Sequence, residues 1–389
     1  MSAVDGRAGP AFAPTVVAFG AAGLVAFAEL YGVQALLPAM AREFDLSPSS
    51  AALVQSAGAI GLAAAVIPWS MVARRVRRGT LLRIAVVATI LLSPLVAATA
   101  GLVPLLVLRF AQGAVLAGIP ALAVTHLGDV LDRARAAAAA GWYVAGTAIG
   151  GLSGRLVAGT VGALADWRTA LVAVSILSAL AAAAFLMLTP RVVEHPDQPG
   201  AVRRALASRR IWTLVALAFL QMGAFVAIYN FVGFRLIHAP FSLPDITVTA
   251  VFVVYLVGSF TATRVARLVS RLGRERVVAV SLAVQTVGAL VTLPAWVPTI
   301  VAGLVLVTAG FFALHALAAG WVAEWGRGSA LPSALYTIGY YAGAGVLGWA
   351  LGLVYDGGGW AALVTGLVGL GMLASVMAAL ALRGEANAA

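Results

Sequence analysis

The chain contains neither cysteine nor lysine. The first absence excludes disulfides, thiolate nucleophiles and cysteine-ligated metals. The second excludes a phosphate-cradling G-x-x-x-x-G-K-[ST] loop, so ATP is not an energy source from within this chain. Charge is also scarce: 10% of the 389 residues are charged against 62% hydrophobic, and mean hydropathy is +1.02. A soluble domain needs far more charged surface, which makes this a polytopic membrane protein whose main solvent is lipid. The four histidines, at 126, 195, 238 and 315, are scattered. With no metal cluster and no nucleophile-base-orienter set in view, the sequence predicts no metal, no cofactor and no enzymatic activity.

All 25 basic residues are therefore arginines, giving a net charge of +11. They lie between apolar runs instead of forming one patch, which argues for topology signals and against a nucleic-acid partner. Stretches of about 20 apolar residues suffice to cross ~30 Å of hydrocarbon. On that measure twelve helices are expected, at roughly 15–38, 51–73, 81–100, 103–126, 137–160, 169–189, 211–237, 247–268, 276–295, 298–322, 331–355 and 361–382. The first is too long for a signal-peptide core of ~7 to 15 residues and is expected to stay in the mature protein. Placing the N-terminus inside puts twenty arginines on the cytoplasmic side and only Arg42 and Arg168 in outer loops. So strong a positive-inside bias predicts that both termini are cytoplasmic.

The one long polar interruption, RVVEHPDQPGAVRRALASRR, divides the spans six and six. The expected organisation is a cytoplasmic tail (1–14), a six-helix bundle (15–189), a cytoplasmic linker (190–210), a second six-helix bundle (211–382) and a short cytoplasmic tail (383–389). Signals recur across the linker at offsets near half the chain length: Arg75-x-Arg77-Arg78 answers Arg271-x-Gly273-Arg274, Gly113 answers Gly310, and Gly151-x-x-Gly154 answers Gly345-x-x-Gly348. Agreeing offsets favour two pseudo-repeats packed around a central site.

The loop Arg75-x-x-Arg78, the run Leu108-Arg109-Phe110-Ala111-Gln112-Gly113 and the segment Gly146-Thr-Ala-Ile-Gly150-Gly151-Leu-Ser-Gly154-Arg155 resemble motifs A, B and C of the major facilitator superfamily. The likeness is to its twelve-span drug:proton antiporter branch and, more closely, to YnfM-type inner-membrane efflux proteins, over about residues 25 to 360. The resemblance implies an all-α membrane fold of twelve transmembrane helices in two six-helix pseudo-repeats, in a bacterial inner membrane. It also assigns conformational roles to Arg75, Arg78, Gly146, Gly150, Gly151, Gly154, Arg155, Gly273 and Arg274. Two departures stand out: motif A has Arg74 where the family places an acid, and motif C has Leu152 where a proline is usual. The first makes a cytoplasmic anchor the stronger reading of the Arg75 and Arg271 loops. The glycines of motif C, four residues apart, form a small-residue stripe that also occurs in membrane helices of every function.

Arg109 lies about a third of the way into the fourth span, where an unpaired guanidinium costs about 2.5 to 3.5 kcal/mol on insertion scales. Gln112 shares its face and can accept from it. Glu29 is the only acid within a span, at a depth that overlaps Arg109 by a rise of about 1.5 Å per residue. Both a proton carrier and a static charge partner fit this pair, and His315 is a third candidate for proton coupling. Arg155 and Arg235 sit near outer helix ends and are read as snorkelling to the headgroups. Polar or aromatic heads at mid-depth nominate Tyr31, Gln34, Gln112, Tyr143, Gln221, Phe225, Tyr229, Asn230, Tyr336 and Tyr340 as the cavity wall.

The expected function is a secondary active transporter, a monomer, exporting a small amphipathic or drug-like organic molecule in exchange for protons by alternating access. Its partners are then the substrate, protons and the lipid bilayer. An importer or facilitator of a sugar, amino acid or other nutrient, a transporter-derived receptor and a lipid flippase are the alternatives.

Overall fold

A computed structural model describes residues 11–190, 208–325 and 331–386. Most of the expected linker, the beginning of the N-terminal tail and the last three residues lie outside the described residues. The described elements are all helices, joined by short turns, with no strand among the described residues. That is what lipid demands, because every backbone N–H and C=O must find its partner within the spanning segment.

Nine segments are long and apolar enough to cross a membrane. One of them is two helices merged across Gly359, which has φ 64°. Two more helices, Arg133–Leu164 and Arg274–Val291, are long but less apolar. Twelve result: α1 (Phe12–Phe44), α2 (Pro48–Val72), α3 (Arg78–Ala97), α4 (Leu102–Val130), α5 (Arg133–Leu164), α6 (Trp167–Leu188), α7 (Arg209–Ile237), α8 (245–272), α9 (Arg274–Val291), α10 (Val297–Trp325), α11 (331–358) and α12 (360–386). Side-chain caps fix several starts: Ser47 accepts from Ser50 N, Asp132 from Ala134 N and Arg135 N, and Asp166 from Arg168 N and Thr169 N. The bond from the Thr169 backbone, then that from its hydroxyl, hold the Asp166 carboxyl below its ordinary pKa. Two helices are not regular α throughout. α1 tightens into a 3₁₀ turn at Gly32–Leu36 and α8 does so at Ala250–Val254.

Close packing rests on glycine. A Cβ on Gly146 would fall inside the Gly20 carbonyl, one on Gly150 would strike the Leu24 backbone and one on Gly154 that of Ala28, so the small-residue stripe seats α5 directly on α1. The second half repeats the device: Gly339 and Gly343 of α11 lie on the backbones of Val215 and Phe219 of α7. Between halves, α2 packs on α11, where Gly345 meets Ile60 and Gly352 meets Ser49, and α5 packs on α8, where Gly159 meets Thr249.

Ion pairs repeat as well. Arg78 donates to Asp129 at 2.6 Å within the first half, and Arg274 to Glu324 at 3.2 Å within the second. These arginines end the two motif A loops, and each anchors its loop to its own half. The apolar core is not continuous from end to end. One cluster joins both halves, but a second, including Leu214, Val277, Leu314, Trp321 and Ala374, draws only on α7 to α12.

Candidate functional site

Two buried polar networks stand out, one inside the first half and one between the halves. The first is built on Glu29, which points away from Tyr31 around α1 and enters the space between α1, α3, α4 and α6. Glu29 is 6% exposed and Arg109 is 1% exposed. Ser93 Oγ donates to Glu29 Oε2 at 2.7 Å, and Gln112 Nε2 donates to the same oxygen at 2.9 Å. Arg109 does not reach the carboxylate. Its Nη1 donates to Gln112 Oε1 (2.5 Å) and to the Glu29 backbone carbonyl (3.0 Å), and its Nη2 to the Leu30 carbonyl (2.8 Å). Nε makes a longer bond to the Val54 carbonyl. The Ser178 hydroxyl faces the carboxylate as well, near Oε1 but outside ideal hydrogen-bond geometry. Gly58 admits the guanidinium, because a Cβ there would stand 2.9 Å from Nη2. Depth overlap and the three-residue spacing correctly bring Glu29, Arg109 and Gln112 together. The structure makes Gln112 the bridge between them and removes it from the cavity wall.

The second network gathers Gln34, Arg155, Asn230 and Tyr255. Gln34 Nε2 donates to Asn230 Oδ1 at 2.7 Å, joining residues 196 apart in sequence, an offset matching that of the repeated signals. Asn230 Nδ2 donates to the Gly348 carbonyl at 3.2 Å. From α5, Arg155 donates through Nε to Gln34 Oε1 (2.7 Å), through Nη1 to the Gly151 carbonyl (2.6 Å) and through Nη2 to the Tyr255 hydroxyl (2.9 Å). Its guanidinium carbon lies 4.6 Å from the Tyr31 ring centroid and 4.1 Å from that of Tyr255, within cation–π range. The reading of Arg155 as a snorkelling residue is overturned: it is 1% exposed. Arg235 does not simply snorkel either. It caps the end of α9, donating to the carbonyls of Thr292, Leu293 and Pro294.

Tyr255 was not anticipated, although its mid-depth polar aromatic head meets the criterion that picked Tyr229. Around it stand Phe225, Tyr229, Phe311 and Phe312, with Phe225 stacked on Phe311 at 4.0 Å and Tyr229 at 4.6 Å from Tyr255. Tyr229 shares a hydrogen bond with Thr308 at 2.7 Å. His315 continues the cluster: its Nδ1 lies 2.8 Å from the Tyr336 hydroxyl, and its ring lies 4.7 Å from Tyr340. It is distant from the Glu29 network in the fold, so the three coupling candidates form no single site. Tyr143 is buried with its hydroxyl unpartnered. Gln221 lies inside the second half beside Gln285, with its Oε1 unpartnered.

All described side-chain bonds between the halves lie toward one end, the end remote from the chain termini. Besides the Gln34 and Arg155 bonds these are Arg42 to Asp245 at 2.5 Å and Ser49 to Asp356. Next to Gln34 and Tyr229 only about 20 Å³ of free space remains, room for about one water. The second-half core cluster, with Leu214, Leu317 and Trp321, lies toward the opposite end.

The model described as Major Facilitator Superfamily matches residues 19–314. The chain is similar to the uncharacterized MFS-type transporter YybF of Bacillus subtilis, 31% identical, covering 91% of this chain and 90% of YybF. It is also similar to the inner membrane transport protein YnfM of Escherichia coli, 31% identical, covering 91% and 87%. Among solved structures, a bacterial homolog of the human lysosomal transporter Spinster, inward-facing and occupied, shares the fold with TM-score 0.79 at 15% identity over 95% and 96% of the two chains. The nucleoside transporter NupG shares it with TM-score 0.74 at 13% identity over 94% and 99%.

Proposed function

The chain belongs to the Major Facilitator Superfamily, and from that premise we propose that it exports a small amphipathic organic molecule in exchange for protons. It is a multi-pass membrane transporter and not an enzyme, with a small-molecule substrate and the lipid bilayer as its surroundings. The proposal adds direction, coupling and topology: a monomer in a bacterial inner membrane, both termini cytoplasmic, its halves at 15–189 and 211–382 rocking about the midline.

The observation that carries the reading is the set of inter-half bonds gathered at the loop end. Two halves latched at the loop end, as the described residues are, present one of the two states that alternating access requires. The positive-inside bias of the arginines argues for a periplasmic latched end.

Coupling falls to Glu29. Its Oε2 accepts from Ser93 and Gln112, whereas Oε1 faces only the Ser178 hydroxyl, so a proton can add at Oε1 without breaking the Oε2 bonds, the new O–H donating a hydrogen bond to Ser178 Oγ. Arg109, bonded through Gln112 to the same carboxylate, also holds the Glu29 and Leu30 carbonyls. Those carbonyls lead directly into the 3₁₀ turn that carries Gln34. Loss of the Glu29 charge thus changes the forces on the segment that closes the loop end. Aromatic and amide groups with few fixed charges suit an amphipathic substrate.

The test is flux in liposomes under an imposed pH gradient, with a panel of anionic, neutral and cationic aromatic probes. Glu29→Gln is expected to abolish gradient-driven accumulation while leaving probe-for-probe exchange intact. Wild-type gradient-driven flux in this variant would remove Glu29 from the coupling mechanism.

A further inference from the structure

Resting on the transporter reading above, we infer that the molecule carried bears a carboxylate, which docks on the Arg155 guanidinium while its apolar or aromatic body lies against Phe225, Tyr255, Phe311 and Phe312. Arg155 is a cation without a countercharge. Among the described residues no carboxylate lies within 4 Å of it, in contrast to Arg78, which pairs with Asp129. Arg109 differs again, since it belongs to the network that contains Glu29. A buried, uncompensated charge at membrane depth points to a partner of opposite sign that arrives from outside the chain.

The geometry of the remaining donors is specific. A guanidinium has five N–H groups, and three of those on Arg155 are used, one each on Nε, Nη1 and Nη2. One N–H is left on each Nη. Those two N–H groups remain to receive a carboxylate. A further donor stands beside it: Tyr31 is 3% exposed, its ring is within cation–π distance of the guanidinium, and its hydroxyl has no hydrogen-bond partner. Such an orphaned hydroxyl next to an unsatisfied cation is satisfied by a single added acceptor group.

The aromatic surroundings select the rest of the ligand. Phe225 and Phe311 stack at 4.0 Å, Phe312 meets Phe225 edge-on at 5.8 Å, and Tyr255 lies 5.5 Å from Phe225. This surface suits an organic body and gives a bare inorganic anion nothing to pack against. A cationic substrate is disfavoured by the same guanidinium. A carboxylate on the free N–H groups shares the same two nitrogens that bond Gly151 and Tyr255, and Tyr255 belongs to the opposite half. Binding therefore acts on a bond that closes the loop end.

Three probes of matched body, 1-naphthylacetate, 1-naphthylacetamide and 1-naphthylmethylammonium, measure this on the full-length protein in detergent by titration calorimetry. Naphthylacetate is expected to bind at least about tenfold more tightly than the amide, with the cation weakest. Arg155→Gln is expected to erase that preference, lowering naphthylacetate affinity at least about tenfold relative to the amide, and Arg155→Lys to restore part of it. Tyr31→Phe keeps the ring and is expected to weaken naphthylacetate alone by about fivefold, which covers the case in which Arg155→Gln does not fold. The inference falls if naphthylacetate binds no more tightly than the amide, whether both bind or neither does, or if the preference survives in the folded Arg155 and Tyr31 variants. Flux of the same probes into liposomes separates the two readings. Preferential naphthylacetate binding without flux under any gradient overturns the transporter proposal and leaves the anion site standing. Flux of the amide or the cation alone does the reverse.

Discussion

Arg109 and Arg155 are equally buried yet differently served, and the difference decides what each does. Four of the five N–H groups of Arg109 reach acceptors within the first half, three of them backbone carbonyls. Bonds from a charged donor contribute about 1.5 to 3 kcal/mol each, so Arg109→Ala should destabilise the fold severely, by roughly 3 to 5 kcal/mol once the carbonyls are left unsatisfied. The thermal midpoint in detergent measures this, and an unchanged midpoint would contradict it. Gln112→Leu cuts the bridge from Arg109 to Glu29 and a bond to Ser93, leaves the backbone carbonyls held, and is expected to impair gradient-driven flux more than stability. Much of this network was legible from depth and spacing, because Glu29, Arg109 and Gln112 are conspicuous as polar groups in lipid. Ser93 was not, since a single hydroxyl on a third helix has no positional signal. Arg155 was misjudged because counting residues to a helix end assumes that the side chain turns toward that end. α5 in fact runs on to Leu164, about 13 Å farther at 1.5 Å per residue, and the guanidinium turns toward the midline.

Among the helices, the α1–α5 pair shows the strongest dependence on small residues. Gly146→Ala would drive a methyl group into the Gly20 carbonyl, and overpacking of this kind typically costs about 1 to 3 kcal/mol. The expected result is a lowered thermal midpoint for Gly146→Ala and no comparable loss for Gly141→Ala, since nothing lies within 4 Å of the Cβ position of Gly141. Equal midpoints for the two variants would dismiss the stripe as a packing device. Its four-residue period was visible in the sequence. The 3₁₀ turns at Gly32–Leu36 and Ala250–Val254 were not, because their hydrophobic pattern differs too little from that of an α-helix over five residues. Both turns adjoin the Arg155 network, the first carrying Gln34 and the second ending beside Tyr255. A tightened stretch in mid-helix often marks a hinge. Under the alternating-access proposal, these are the points at which α1 and α8 would bend.

Across the whole molecule, twelve helices and an offset of about half the chain length were readable because lipid permits so few solutions. The state of the molecule was not readable, since which end is latched depends on pairings between residues some two hundred positions apart. The outermost latch, Arg42 with Asp245, has both side chains substantially exposed, and such pairs are worth about 0.2 to 1 kcal/mol. Arg42→Ala is therefore expected to shift the balance between states by no more than about fivefold without unfolding the protein. The absence of cysteine supplies a clean background for the decisive test. Spin-label pairs at Ala100 and Ala295 report on the loop end, and pairs at Arg75 and Arg271 on the terminal end. Measured by pulsed electron resonance across a range of pH and probe concentration, the two distances are predicted to change in opposite senses, one lengthening as the other shortens. Distances that stay fixed, or that lengthen and shorten together, would contradict alternating access in this protein.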